Sequence, residues 1–169
     1  KDCMTQEVLL TISGLHQMEF MENGDEENEP IEVITPASYY LKNDRHYVIY
    51  DEVVEGLPGV IKNKVKITGD DTLEIMKSGL TNAHMVFEKN KSNLTYYDTP
   101  YGQIQVGIHT RDMDVNVTED LIQVEVEYGL DINHEAMADC RISMNIRPKE
   151  AADSVLKEKN RSSKEWRQC

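Results

Sequence analysis

The sequence predicts an all-β fold, an antiparallel up-and-down barrel of about ten strands that closes on itself. Three observations lead there. Apolar residues recur with a period of two almost everywhere, the side-chain period of a half-buried strand. The apolar runs are separated by short clusters of Gly, Asn, Asp and Ser, the residues of tight turns. No segment before the C-terminal tail carries a helical period. A meander of short turns removes its sheet edges by closing, whereas a two-sheet sandwich needs long crossing connections that this pattern lacks.

The elements can be justified in chain order. The acidic run ENGDEENEP at residues 22 to 30 reads as a flexible loop between the first two strands. A turn near Asn43-Asp44 leads into the strand around Val48 and Tyr50, whose inward face is ambiguous because Tyr47 and Ile49 are also apolar. Closing Thr68 on Thr72 around Gly69-Asp70-Asp71 sets Ile67 opposite Leu73, Val65 opposite Ile75 and Asn63 opposite Lys77. A turn at Lys91-Ser92 puts Phe87 opposite Tyr96 and Met85 opposite Asp98. Thr99-Pro100-Tyr101-Gly102-Gln103 reads as a hairpin with about three loop residues and a bulge. It places Asp98 opposite Ile104, Tyr96 opposite Val106 and Leu94 opposite Ile108, with Tyr97 and His109 on the other face. After a turn near Glu119-Asp120, Ile122, Val124, Val126, Tyr128, Leu130 and Ile132 alternate with Gln123, Glu125, Glu127, Gly129 and Asp131. A loop at Asn133-His134-Glu135 sets Leu130 against Ala138, Tyr128 against Cys140 and Val126 against Ile142. The barrel domain is expected to span residues 1–147. Residues 148–169 form a charged tail in which Ala152, Val155, Leu156 and Lys159 share one face of a short helix, and the remainder is disordered.

Composition bounds the function. The 169 residues suit one domain with a real core, and 39% of them are hydrophobic. The net charge is −13. The tail holds 6 Lys/Arg against 4 Asp/Glu, leaving 12 against 27 in the barrel, so the acidity belongs to the barrel. An acidic body lacks the basic surface that nucleic acid requires. No apolar run reaches the roughly 18 residues of a membrane helix. The first residues, KDCMTQEVLL, lack a secretory pattern, so a cytoplasmic location is expected, and the sequons at 90, 93, 116 and 160 read as chance. Cys3, Cys140 and Cys169 are odd in number and widely spaced, so neither a disulfide framework nor a zinc site is expected. The five histidines show no metal-ligand spacing, and the glycines make no phosphate loop. No cofactor is implied.

EPIEVITPASYY, YVIYDE, EIMKSG, HMVFE, NLTYYDTPYGQIQVGIHT and LIQVEVEYGLDI, in that order, resemble the YwiB-like family of uncharacterised bacterial β-barrel proteins. The resemblance covers roughly residues 7 to 147. It implies a calycin-like barrel, related in shape to lipocalins, and no assigned activity. One departure is Lys77 in KSG, where the family often has Arg, a planar fork rather than a point charge.

The informative residues are polar ones expected on the apolar side. Asn63 and Lys77 face one another there, Asp98 joins them, and Glu52 does too if Val48 and Tyr50 point inward. A buried Lys is costly unless paired, so Lys77 is expected to pair with Asp98 or Glu52. The functional reading is a polar anchor for a small, mostly apolar ligand in the barrel, with Tyr50, Tyr96 and Tyr128 nearby. The plainer reading is a structural pair at the barrel rim. The second function is a structural or protein-interaction domain whose barrel is filled by its own side chains. The third is an enzyme, for which no reaction machinery stands out. A relay of His109 with Asp98 and a hydroxyl is set aside, because the hairpin above puts those two on opposite faces.

Overall fold

A computed structural model describes residues 5–14, 32–99 and 102–149. The acidic run at 22 to 30 and the helix expected in the tail lie outside the described residues. Among those described, ten strands form one antiparallel sheet. They are β1 (Gln6–Ser13), β2 (Glu32–Lys42), β3 (Arg45–Val53), β4 (Val60–Thr68), β5 (Thr72–Gly79), β6 (Ala83–Glu88), β7 (Lys91–Thr99), β8 (Gly102–Val117), β9 (Ile122–Ile132) and β10 (Glu135–Pro148). The spatial order is β6-β5-β4-β3-β2-β1-β10-β9-β8-β7, so the first strand pairs with the last and the meander wraps into a barrel. The barrel is nearly closed: among the described residues, β6 and β7 share a single bridge, Asn82 with Asp98.

Most registers follow the hydrophobic alternation. Asn63 lies opposite Lys77, Val65 opposite Ile75 and Ile67 opposite Leu73. Tyr128 lies opposite Cys140 and Val126 opposite Ile142, as expected. The chain reaches that register in its own way. Asn133 and His134 take left-handed φ values of 48° and 70°, a two-residue hairpin turn in which both central residues need positive φ. The extra residue is absorbed by a bulge between Ala136 and Ala138. The ambiguity in β3 is resolved with Val48 and Tyr50 buried and Ile49 exposed.

Two expected registers are corrected. Thr99 pairs with Gly102, not Gln103, so Asp98 lies opposite Gln103, Tyr97 opposite Ile104 and Tyr96 opposite Gln105. Two residues instead of three separate the strands, and a one-residue slip carries every side chain to the other face. Tyr96 and Asp98 therefore point outward, and Tyr96 is 53% exposed. Tyr97 and Ile104 pack against the core in their place. The second correction concerns β6 and β7, which turn at Lys89-Asn90 and do not form the ladder that would set Phe87 against Tyr96. The turn is tied to its flanks instead: Lys89 N–H donates to Asp71 O and Asn90 N–H to Thr110 O, both at 2.9 Å.

The interior is built from the inward rows. Tyr39, Phe87, Leu10, Ile12, Ile67, Leu73, Ile75, Ile108, Ile122, Ile142, Met144 and Ile146 are each under 2% exposed. These residues pack against one another in a single cluster at the density of a protein interior. Phe87 meets Tyr128 edge-on with ring centroids 5.0 Å apart, the geometry favoured by the ring quadrupoles. Cys140 is a free, buried thiol, and burial pushes its pKa up.

The register makes a testable contrast. Phe87→Ala should cost about 3–5 kcal/mol in urea unfolding. Tyr97→Ala should cost more than Tyr96→Ala, whose effect should stay within about 0.5 kcal/mol as for other exposed positions. The reverse ranking would restore the three-residue loop.

Candidate functional site

Three neighbouring strands bring polar side chains together at one end of the interior. Lys77 Nζ on β5 donates to Asn63 Oδ1 on β4 at 2.8 Å and to Glu52 Oε1 on β3 at 3.1 Å. Asn63 Nδ2 donates in turn to Glu52 Oε1 at 3.2 Å and to Ile61 O at 3.4 Å. The strand pairing dictates this. Asn63 lies opposite Tyr50 on one side and Lys77 on the other, and Glu52 sits two residues along the same inward row as Tyr50. Asn63 is fully buried, while the Lys77 and Glu52 side chains keep 11% and 28% of their surface. The charges thus sit at the rim of the interior, where solvent reduces their desolvation cost. Burial, helped by the Glu52 carboxylate, pushes the Tyr50 hydroxyl pKa up, so Tyr50 stays neutral. Chemically the group is a satisfied ion pair with an amide bridge, able to offer the remaining ammonium N–H to an acceptor.

Of the residues anticipated for this site, Glu52, Asn63, Lys77 and Tyr50 are assembled. Asp98 and Tyr96 are not, since both lie on the outer face; Asp98 accepts from Gln103 Nε2 at 3.3 Å. Tyr128 is deep in the core beside Phe87 and Cys140 rather than at the rim. Lys77 has taken Glu52 as its partner, not Asp98.

Sequence reasoning missed a second feature. β2 and β3 pair from Lys42–Arg45 up to Ser38–Ile49 and then separate. Beyond that point β2 pairs with β1 alone and β3 with β4 alone among the described residues. The opening is a groove of about 320 Å³ lined by Glu7, Pro36, Ala37, Ser38, Ile49, Tyr50, Asp51 and Lys149. Lys149 and Glu7 approach to 3.7 Å across one wall, and Ile34 and Val53 stand exposed on the separating strands. One signal for it was present in the sequence. Proline inside a strand is confined to edges, and Pro36 sits in the middle of EVITPASYYLK.

Histidines proved more connected than their spacing implied. Tyr39 Oη lies 2.7 Å from His46 Nδ1, which satisfies a hydroxyl on a buried ring, and burial holds the His46 pKa below its usual value. His109 faces outward as expected, but the opposite-face argument against its pairing with Asp98 fails, since Asp98 is outside too. Its carboxylate partner is Asp131 and its hydroxyl neighbour Ser92. Among the described residues no helix is long and apolar enough to cross a membrane.

Comparisons agree with the architecture. Residues 16–144 match the family model described as a domain of unknown function, DUF1934. Over 132 residues the chain is 26% identical to the uncharacterised β-barrel protein YwiB of Bacillus subtilis, covering 78% of this chain and 88% of that protein. The crystal structure of the B. subtilis ywiB protein superposes with a TM-score of 0.68 at 19% identity, covering 85% of this chain and 92% of the other. At that identity the superposition establishes the fold alone.

Two outcomes follow from these contacts. Lys77→Met should destabilise the barrel by about 1–3 kcal/mol, because Asn63 Oδ1 loses its donor in a buried setting; an unchanged or raised urea midpoint would show the network to be dispensable. His46 has a folded pKa below its unfolded one, so the unfolded chain binds the extra proton first. Stability should be complete above the unfolded value of 6.5 and decline as pH falls below it. That slope should flatten in His46→Gln, read from chemical denaturation at stepped pH.

Proposed function

The chain belongs to the DUF1934 family, and on that footing we propose that it is a protein-interaction domain whose side-chain-filled barrel serves as a scaffold. The observation that carries this reading is the core itself, in which large inward side chains such as Tyr39, Phe87, Ile108 and Met144 are each under 2% exposed. A filled barrel acts through its outside, and the groove between β2 and β3 is the place best suited to a partner. Among the described residues two strands there run with one edge unpaired, which is the template for adding an extended peptide strand. Ile34 and Val53 supply apolar contact at its sides.

A second reading is kept for one observation. The groove volume of about 320 Å³ falls within the range of small-molecule sites, and Tyr50 lines it while lying next to the Glu52, Asn63 and Lys77 network. In this reading the ligand sits in the wall of the barrel rather than along its axis, with Lys77 as its polar anchor.

The two separate cleanly. Extended peptides with alternating apolar residues, titrated against labelled protein, should shift the amide resonances of residues 33–37 and 50–53. Ile34→Lys with Val53→Lys should weaken that binding by about tenfold, the equivalent of roughly 1.4 kcal/mol. Native mass spectrometry of protein from its own cells should show the bare mass. A small molecule that is carried, released on denaturation and lost in Lys77→Met would replace the first reading with the second.

A further inference from the structure

The register that turns Tyr96 and Asp98 outward also sets a serine beside the outer-face histidine. Ser92 on β7 is paired directly with His109 on β8, and its Oγ lies 2.6 Å from His109 Nδ1. The other ring nitrogen, Nε2, lies 2.5 Å from Asp131 Oδ2 on β9. Hydroxyl, imidazole and carboxylate therefore run in line across three adjacent strands. A carboxylate only accepts, so Asp131 holds the ring proton on Nε2 and leaves Nδ1 as acceptor for the Ser92 hydroxyl. This is the order of contacts that activates a nucleophilic serine, with the two ring nitrogens exchanged relative to the usual relay.

The sheet is shaped around the group. Gly107 and Gly129 belong to the same outer face, yet both are buried. A Cβ added to Gly107 would come within 3.4 Å of His109 Nε2 and of Asp131 Oδ2. One added to Gly129 would lie 3.9 Å from His109 Cβ and 3.1 Å from Arg111 Nη2. A bare Cβ at Gly107 would thus be in ordinary contact with the imidazole and its carboxylate, and the two glycines leave this face low while Ser92 stays exposed. Opposite Gly107 stands Leu94, 57% exposed, and Tyr96 follows on the same row. An apolar shelf therefore begins beside the hydroxyl.

The geometry points to a second function: Ser92, His109 and Asp131 form a nucleophilic relay that hydrolyses carboxylic esters with short apolar acyl groups, which rest on Leu94 and Tyr96. Ser92 Oγ bonds to the ester carbonyl carbon as its proton passes to His109 Nδ1. The tetrahedral adduct expels the alcohol, which takes that proton, and leaves the acyl group on Ser92. Water then gives a proton to Nδ1 and adds to the acyl carbon; the adduct breaks its bond to Ser92 Oγ, which takes that proton back as the carboxylic acid leaves. Asp131 acts through His109 and is a positioning residue.

A cross-strand structural rivet has the same hydrogen bonds, so the test is covalent. The full chain is treated with diisopropyl fluorophosphate and the adduct located by peptide mass mapping, alongside hydrolysis of 4-nitrophenyl butyrate. Ser92 is expected to carry the adduct, and Ser92→Ala, at an exposed position, to lose it without loss of fold. His109→Gln and Asp131→Asn should each slow labelling by about 10²-fold or more, with circular dichroism checking the barrel. Leu94→Asn should raise the KM for the butyrate ester more than for the acetate. An adduct absent from Ser92, or formed at equal rate in folded His109→Gln, overturns the proposal. Should His109→Gln fail to fold, an unchanged labelling rate in Asp131→Asn overturns it equally.

Discussion

The ladder between β1 and β10, from Val8–Pro148 to Ser13–Ser143, is the pairing on which the rest of the barrel depends. It joins two half-sheets, β1 to β6 and β7 to β10, whose other seam has, among the described residues, one bridge in place of a ladder. Without it each half would expose an apolar face and a free edge. The two strands lie at opposite ends of the barrel sequence, and closing such a loop adds only a logarithmic entropic cost. It does give the fold a high contact order, the mark of slow folding. The opposite seam is held differently. Backbone bonds from Lys89 and Asn90 reach to Asp71 and Thr110, and Phe87 reaches across to Tyr128. One side of the cylinder is thus closed by a ladder and the other mainly by packing.

Within that ring the polar rim group acts on register. In β4, Lys62, Lys64 and Lys66 alternate with Ile61, Asn63, Val65 and Ile67, and the inward set is the second one. A slip by one residue would drive three lysines inside, each needing a partner that the interior does not offer. Lys77 is accommodated because Glu52 and Asn63 meet it. Outside, the same lysines are used twice over: Lys64 and Lys66 lie above the Tyr47 ring at 5.4 and 5.9 Å, and Lys66 pairs with Glu74. The alternation that buries the core also decorates the wall.

How much of this could be read in the sequence depended on whether faces were chemically distinct. Asn63 opposite Lys77 and Tyr128 opposite Cys140 were legible, because one face of β4, β9 and β10 is apolar and the other charged. NLTYYDT in β7 is different: Leu94 and Tyr96 are as apolar as Thr95 and Tyr97, so composition could not choose between its faces. Loop length alone had to decide, and Pro100 with Gly102 fits more than one turn. That error moved Asp98 and Tyr96 into the interior and kept Ser92 away from His109. The groove was hidden for another reason. Pairing strands in order assumes each ladder runs to its end, whereas β2 and β3 part after Ser38–Ile49, and Pro36 alone marked the place.

What remains open to chemistry lies where regularity is broken. An unbroken ladder with full side chains gives a plain wall. The groove exists because β2 and β3 stop pairing after Ser38–Ile49, which leaves backbone donors and acceptors on both margins outside any ladder among the described residues. The Ser92, His109 and Asp131 alignment lies where Gly107 and Gly129 leave the outer face without side chains of their own. Glycine within a strand costs stability, and an unpaired edge invites unwanted association. The core, with its large residues sealed from solvent, is what allows the barrel wall to carry both departures and still hold their geometry.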